Sequence, residues 1–470
     1  MKVNPVRNNN NNNNNPKNNG GISNGVNPSI FKSRDIRGIY PIDLNEKVAY
    51  KIGQAFIEYT GAKNIVVGRD MRLSSPAIFE AITQGIITQG ADVYNIGQVP
   101  TEGLYFAVGH YGYDAGIMIT SSHNPKEYNG FKLVKRIAEG IDMIRGKDMI
   151  QIIERGDFSR AEKTGRTREL DIWEDFLEHI FTFIVFKKIK PFKVVIDAGN
   201  GMAGKVIPLI ASKLPLEIIP LNFELDGNFP AHPSNPLFEG VTDQISKEVR
   251  KRKADFGFIF DGDADRIYLI DELGNFIRGD TTLLLLAKYL LKKYPGKGIA
   301  HNLICSKAVP EFIKKWGGKP IRTAVGVVEV REGMLKNDGI MGGELSGHYL
   351  FRDNFYLDSG FVVFLILLEI ISESGKKVSK ITKELSPYAK SAEINFEVKN
   401  KETILKKIRE QFSDGKQDYL DGVTVEYNDW WFNVRPSQTE PLLRLTIEAE
   451  TSKLLKQKQK ELSSLILIPC

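Results

Sequence analysis

The stretch Ala115-Gly116-Ile117-Met118-Ile119-Thr120-Ser121-Ser122-His123-Asn124-Pro125 decides how the rest of the chain is read. Its first five residues are an unbroken apolar run, the pattern of a short strand buried on both faces. The next six are polar and end in a proline. A polar turn at the C-terminal end of a buried strand is where open α/β sheets place their ligands. Two adjacent hydroxyls, an imidazole and an amide, stiffened by Pro125, form a potentially reactive corner. The same residue types also build ordinary turns, so the reading depends on what surrounds them.

Upstream, the ordered chain is expected to begin near Ser29, and Lys32, Arg34 and Arg37 crowd one turn. A helix is predicted from Glu46 to Tyr59 and a strand from Asn64 to Gly68. Pro76 suits the first turn of a further helix, with Ser74 or Ser75 as its cap. Arg69 and Asp70 read equally well as a structural ion pair or as ligand contacts. A strand from Asp92 to Ile96 and a helix after Pro100 lead to the central strand. This alternation predicts a layered α/β domain. The polar stretch from Glu154 to Arg168 reads as a boundary.

Two further units follow the same plan, a strand ending in a polar loop. One ends its last strand, Phe256 to Phe260, in Asp261-Gly262-Asp263-Ala264-Asp265-Arg266; the other leads to Gly343-Glu344-Leu345-Ser346-Gly347-His348. A small last unit carries Arg435-Pro436-Ser437-Gln438-Thr439-Glu440-Pro441 between two strands, then a Lys-rich helix. The predicted organisation is an Asn-rich disordered tail at 1–28 and domains at 29–165, 166–275, 276–387 and 388–470.

Composition agrees with that size. A chain of 470 residues suggests about three or four domains. The 64 basic residues are interspersed with 58 acidic ones, a mixed surface rather than a nucleic-acid tract. Cys305 and Cys470 give neither a disulfide framework nor a zinc spacing, which suits a reducing, cytoplasmic setting. The apolar run Phe361 to Leu368 continues past Glu369 only to Ile371, against the roughly 20 residues a membrane span needs. The Asn run from Asn8 to Asn15 cannot bury apolar surface, and the tail to Pro28 is expected to be dispensable. The expected partner is a small molecule, with no nucleic acid and no membrane, for a monomer or homodimer.

The loops carry distinct chemistry. Asp261, Asp263 and Asp265 repel one another unless a cation lies between them, and hard oxygen ligands suit Mg²⁺ or Ca²⁺. The spacing imitates an EF-hand, with Glu272 at the twelfth position. Arg266 occupies the sixth, where that loop needs Gly, and the flanks read as strands. Glu344 and Ser346 together can hold neighbouring hydroxyls of a sugar. Arg435, Ser437, Gln438 and Thr439 supply a guanidinium, two hydroxyls and an amide, a cradle for phosphate.

Ser-His-Asn-Pro, Asp-Gly-Asp-x-Asp-Arg, Gly-Glu-x-Ser-Gly-His and Arg-Pro-Ser-x-Thr-Glu-Pro occur in this order. Asp35-Ile36-Arg37-Gly38, Gly68-Arg69-Asp70 and Asp197-Ala198-Gly199-Asn200-Gly201 accompany them. From about residue 29 onward the chain resembles the α-D-phosphohexomutases, most closely the phosphomannomutase/phosphoglucomutase branch. The resemblance implies three similar α/β domains and a smaller C-terminal α+β domain around a central cleft. It implies interconversion of mannose or glucose 1-phosphate and 6-phosphate, through a phosphoserine and a hexose 1,6-bisphosphate.

By that resemblance Ser122 carries the phosphoryl group, and Asp261, Asp263, Asp265 and an oxygen of phosphorylated Ser122 hold one Mg²⁺. Glu344 and Ser346 grip sugar hydroxyls, while Arg435, Ser437, Gln438 and Thr439 hold the phosphate that is not reacting. Arg37, His123, Lys132, Arg266 and His348 line the reacting centre, with Lys132 or His348 as general base. Glucose 1,6-bisphosphate or mannose 1,6-bisphosphate is implied as activator. Two positions depart from the family pattern: Arg34 stands where many relatives have Tyr, and Val327 and Val328 follow Gly326 where a polar residue is common. They keep two alternatives open, a phosphoglucosamine mutase and a non-catalytic phosphosugar-binding paralogue. Leu345 favours the mannose/glucose branch, and loss of phospho-Ser122 to water would make the chain a hydrolase instead.

Overall fold

The computed structural model describes residues 25–158, 160–437 and 442–467. Four sheets organise them. In the first, the strands Asp92–Gln98, Asn64–Arg69 and Ala115–Ile119 lie side by side and parallel, with Asn64–Arg69 in the middle. Tyr128–Ile137 then pairs antiparallel with Ala115–Ile119, and Ile36–Ile39 pairs antiparallel with it in turn.

The second sheet repeats the arrangement. Leu216–Leu221, Phe192–Asp197 and Phe256–Phe260 are parallel, and Ile267–Ile270 is antiparallel to the last of them. The third does so again with Lys319–Thr323, Gly298–Asn302 and Gly339–Gly343, followed by antiparallel Tyr349–Phe351. In all three domains the strand that precedes the polar loop is the third parallel strand in chain order, and the loop reverses the chain into an antiparallel neighbour. The three loops thus occupy one topological position, outside the carboxyl end of a buried parallel strand.

The fourth sheet is antiparallel throughout, with Trp430–Pro436 and Leu442–Ala449 at its centre. Helices Lys401–Gln411 and Ser452–Leu467 accompany it. Strands Lys416–Asp418 and Val423–Glu426 join it without having been expected from the sequence.

One continuous apolar core runs through the first three domains, joining Met118, Ile196, Phe258 and Met341 to the helix Gly360–Ser374. That helix is apolar on every side, as an element surrounded by others must be. Of its two carboxylates, Glu369 is fully buried and accepts Val185 N (2.7 Å) and Lys188 Nζ (3.1 Å). The fourth domain keeps a separate core around Phe432 and Leu445. Among the described residues no helix is long and apolar enough to cross a membrane.

The structure corrects several expectations. Val26 is buried, and Asn27 Nδ2 donates to Asp43 Oδ1 at 2.9 Å, so the last residues assigned to the tail belong to the core. Most of the Asn-rich stretch lies outside the described residues. Thr167–Glu169, placed beyond the first domain, adds a strand to that domain's sheet edge. Neither Ser74 nor Ser75 caps the helix Ser75–Thr88 through its hydroxyl. Ser74 Oγ accepts Asn129 Nδ2 at 2.8 Å, and Ser75 Oγ donates to Asp70 Oδ1 at 2.7 Å.

Candidate active site

The first three loops meet. Ser122 Oγ lies 3.0 Å from Asp261 Oδ2 and 3.2 Å from His123 Nδ1. Ser122 has φ 49°, so the chain turns sharply there and Thr120 Oγ1 accepts its N–H at 2.9 Å. The close approach of the two loops requires Gly262: a Cβ there would lie 2.7 Å from Ser122 O. Asp261, Asp263 and Asp265 are all buried, and their carboxylate oxygens come within 4.8 Å of one another. Strands Phe256–Phe260 and Ile267–Ile270 flank them, which removes the helix-flanked calcium loop from consideration.

Lys132 Nζ lies 2.6 Å from Asp263 Oδ2 and also donates to Asp265 Oδ2. Burial lowers its pKa, but Asp263 and Asp265 more than offset this and hold it well above the usual lysine value. Thr101 Oγ1 adds a hydrogen bond to Asp263 Oδ2. Burial would raise Asp265, yet Lys132 and His348 hold it below the usual carboxylate range. Asp261, farther from the lysine, is pushed up to about 8 by burial and by the charges of Asp265 and Asp263.

Buried Oδ1 atoms of Asp263 and Asp265 carry no hydrogen bond among the described residues. Excess carboxylate, two orphaned acceptors and an all-oxygen donor set fit a hard divalent cation.

On the other side of the site, Arg266 Nε donates to His348 Nε2 at 2.9 Å, and His348 Nδ1 lies 2.6 Å from Asp358 Oδ2. This pairing assigns the imidazole proton to Nδ1 and leaves Nε2 as the acceptor. Burial lowers the His348 pKa, but Asp265 and Asp358 raise it above the ordinary histidine value. His123 is different: burial and the cations Arg266 and Arg37 push it well down, so it is neutral beside the serine hydroxyl. Arg37 is held by Asp35 (Nε to Oδ2, 2.7 Å) and reaches Ser121 O at 3.3 Å and Asn124 Oδ1.

Glu344 Oε1 accepts Asn302 Nδ2 at 3.0 Å and Gly326 N at 2.7 Å, while Ser346 Oγ lies 3.2 Å from its Oε2. Burial raises its pKa, but His348 and Arg34 outweigh that, and Glu344 stays ionised. Arg34 donates to Val325 O and faces Glu329 at 3.5 Å. The two departures from the family pattern therefore adjoin one another across the first and third domains. Val328 is buried in the helix Val327–Lys336 and contributes packing. Asp421 of the fourth domain accepts Val325 N at 3.2 Å, so one residue, Val325, bonds to both outer domains.

Arg435 and Ser437 are buried at the end of strand Trp430–Pro436. Arg435 Nη2 is 2.5 Å from Glu393 Oε2. Gln438 and Thr439 lie outside the described residues.

Several contributors were not singled out from the sequence. Asp358 follows His348 by ten positions and orients it, and Thr101 braces the aspartate loop. Asp70 pairs with Arg72 at 3.3 Å, not with Arg69, whose guanidinium lies 5.4 Å from the centre of the Phe79 ring. Glu102 sits between the first and third domains, accepting Ser359 Oγ and Phe361 N (3.2 Å). Hydroxyl and acidic residues next to a Pro or a helix start carry no signal for such contacts, because the partners are far away in sequence.

Burial pushes Glu102 up to about 8, so the folded state binds its proton more tightly than the unfolded chain does. Its contribution to stability therefore falls as pH rises from the ordinary carboxylate range toward that value. Glu102→Gln should flatten the decline, removing about 3 kcal/mol of pH-dependent loss between pH 5 and 8. Urea unfolding at both pH values checks this, and equal slopes for the two proteins would refute it.

Comparison with known proteins agrees with this geometry. The chain matches the family models "Phosphoglucomutase/phosphomannomutase, alpha/beta/alpha domain I" at residues 28–160, domain II at 174–274 and domain III at 278–388, and the family's C-terminal domain at 393–464. A phosphomannomutase of Vibrio cholerae is 38% identical over 454 residues, covering 93% of this chain and 98% of that one. A protein of Xanthomonas campestris named for phosphohexose mutases is 36% identical over 441 residues, covering 93% and 98%. A crystal structure of a phosphoglucomutase/phosphomannomutase family protein from Burkholderia thailandensis superposes with a TM-score of 0.84 at 31% identity, covering 94% of this chain and 97% of that one. With all four domains matched in order and the loops converging as described, the chain belongs to the phosphoglucomutase/phosphomannomutase family of phosphosugar mutases.

Proposed function

We propose that the protein interconverts hexose 1-phosphate and hexose 6-phosphate, of mannose and of glucose, by two phosphoryl transfers through Ser122. The observation that carries this reading is the convergence of Ser122 Oγ, the three aspartates and the cations Lys132, Arg266 and Arg37 on one buried point. Phosphoryl transfer is mostly positioning and charge neutralisation, and this set supplies both.

In the first transfer the P–Oγ bond of phospho-Ser122 breaks and a P–O bond forms to the free hydroxyl of the hexose 1-phosphate. The hydroxyl proton goes to a general base, and the Ser122 oxygen released takes up a proton from solvent. Lys132 is unsuited to that task, because two carboxylates hold its proton. His348 suits it: Nδ1 is engaged by Asp358, and Nε2 carries no proton and would accept one in place of the hydrogen bond it takes from Arg266 Nε. The resulting 1,6-bisphosphate turns over within the cleft. In the second transfer the other phosphate returns to Ser122, whose hydroxyl gives its proton to solvent, and the sugar oxygen that phosphate leaves regains a proton from His348. A trace of glucose 1,6-bisphosphate or mannose 1,6-bisphosphate would accordingly prime unphosphorylated enzyme.

Asp261, Asp263 and Asp265 would hold one Mg²⁺ together with a phosphoserine oxygen, and the ion would supply charge neutralisation at the transferring group. Glu344, ionised and fixed by Asn302 and Gly326, and Ser346 accept and donate to sugar hydroxyls. Arg435, Ser437, Gln438 and Thr439 hold the phosphate that is not reacting.

Two variants probe these assignments. Asp263→Asn should raise the Mg²⁺ concentration for half-maximal rate at least ~10-fold and lower kcat with it; an unchanged metal titration would remove Asp263 from the ligand set. Arg435→Ala should raise KM for hexose 1-phosphate about 10-fold or more with a smaller change in kcat. An unaffected KM would move the phosphate cradle elsewhere.

The direct test of the reading is turnover of α-D-mannose 1-phosphate and α-D-glucose 1-phosphate side by side, with Mg²⁺ and a trace of glucose 1,6-bisphosphate, each 6-phosphate and inorganic phosphate being measured. Formation of either 6-phosphate without matching phosphate release is the expected result. Silence on both substrates would overturn it, and turnover of glucosamine phosphates alone would reassign the sugar.

A further inference from the structure

Arg72 lies behind the Ser122 loop, 2% exposed, and nearly all of its hydrogen-bonding capacity is spent on that loop. Nη2 donates to Ser122 O at 2.8 Å and to Asn124 O at 2.6 Å. Nη1 donates to Pro125 O at 2.8 Å and to Tyr128 O at 2.9 Å. The remaining N–H, on Nε, faces Asp70 Oδ2 at 3.3 Å. Asp70 is itself fixed, its Oδ1 accepting Arg72 N at 3.0 Å and Ser75 Oγ at 2.7 Å. The second domain closes the stack: the Phe229 ring lies 5.0 Å from the guanidinium, and Ser234 Oγ donates to Asn124 O at 3.2 Å.

With four N–H groups on carbonyls and the fifth, on Nε, buried in the ion pair with Asp70, the guanidinium offers no donor to a phosphate, so Arg72 is not a ligand contact. It is also poorly explained as a surface ion pair, since the charge is buried and its cost is offset by the four carbonyls and the Asp70 carboxylate around it. Its planar fork fits two pairs of carbonyls at once, which an ammonium at a single point cannot do. The carbonyl of Ser122 is one of the four, and Ser122 itself sits at φ 49°, a conformation a non-glycine residue adopts only when its surroundings impose it.

We infer that Arg72 is a positioning residue for phosphoryl transfer: by fixing four carbonyls of the loop it sets the direction of Ser122 Oγ toward the aspartate loop. This rests on the reading of Ser122 as the phosphoryl carrier.

The test is single-turnover labelling of unphosphorylated enzyme with ³²P-labelled glucose 1,6-bisphosphate and Mg²⁺. In that step a sugar P–O bond breaks, a P–Oγ bond forms, the serine gives up its proton and the sugar oxygen released takes one up. Arg72→Lys keeps the charge and removes the fork. It should label to the same end point as wild type but ~100-fold more slowly, with KM for hexose 1-phosphate within about 3-fold. A wild-type rate would overturn the inference. So would a reduced end point reached at the wild-type rate, which is the signature of a purely structural role.

Should Arg72→Lys fail to fold, Asp70→Asn, which frees the guanidinium on its Nε side, should slow labelling about 10-fold at an unchanged end point; an unaltered rate there would also overturn it. If wild type itself takes no label, the phosphoserine reading falls and the inference with it. If wild type is labelled and the variants match it, the inference alone falls.

Discussion

Ser122→Ala is expected to lower mutase turnover at least ~10⁴-fold while leaving the fold intact, because the covalent carrier is removed and no neighbouring group replaces it. The side chain is 1% exposed, and alanine fits the space it leaves. What is lost locally is the hydrogen bond to Asp261 Oδ2 and the contact with His123 Nδ1. The backbone of the turn is held independently by Thr120 Oγ1 and by Arg72. The stability change should therefore stay within about 1–2 kcal/mol. Coupled detection of hexose 6-phosphate gives the rate, thermal melting gives the stability, and intact mass after incubation with glucose 1,6-bisphosphate shows whether the chain takes a phosphate. Wild-type-like turnover in this variant would sink the assignment of Ser122. Loss of turnover together with loss of the melting transition would place the serine in the fold, not in the chemistry.

His348→Ala should reduce kcat by about 10²–10⁴-fold, the usual contribution of a general base, with KM for the hexose 1-phosphate little changed. The imidazole is held between Arg266 Nε at 2.9 Å and Asp358 Oδ2 at 2.6 Å, so its role depends on being fixed as one tautomer. Both directions of the reaction should slow by the same factor, since one group takes the proton in the first transfer and returns it in the second. A variant that keeps its rate, or that loses only affinity, would return the base to Lys132 and require the lysine to lose its proton while flanked by Asp263 and Asp265. Stopped assays of the forward and reverse reactions decide between these outcomes.

The local chemistry is legible in the sequence. A five-residue apolar run followed by a polar turn identified Ala115–Ile119 and its loop, and the same pattern identified Phe256–Phe260. Both signals are contained in a dozen contiguous residues, where strand burial and residue type suffice. The short strands Lys416–Asp418 and Val423–Glu426 escaped because they are brief, and their pairing partners come from elsewhere in the chain. The helix cap at Ser74 and Ser75 failed for a related reason. Their hydroxyls had better partners in Asn129 and Asp70, which only the folded chain brings near.

The sequence by itself determined which residue types each loop offers, that a strand precedes the Ser122 loop and the Asp261 loop, and that three closely spaced aspartates ask for a cation; the strand Gly339–Gly343 before Glu344 came only with the fold. Tertiary structure alone decided that Ser122 meets Asp261 across 139 residues, and that Lys132 is spent neutralising Asp263 and Asp265. It alone decided that His348 is oriented by Asp358, and that Arg72 serves the Ser122 loop. Residue chemistry is local and is read from the chain directly. Proton affinity and hydrogen-bond partnership depend on burial and on charges a few ångströms away, and those distances are fixed only when the domains pack.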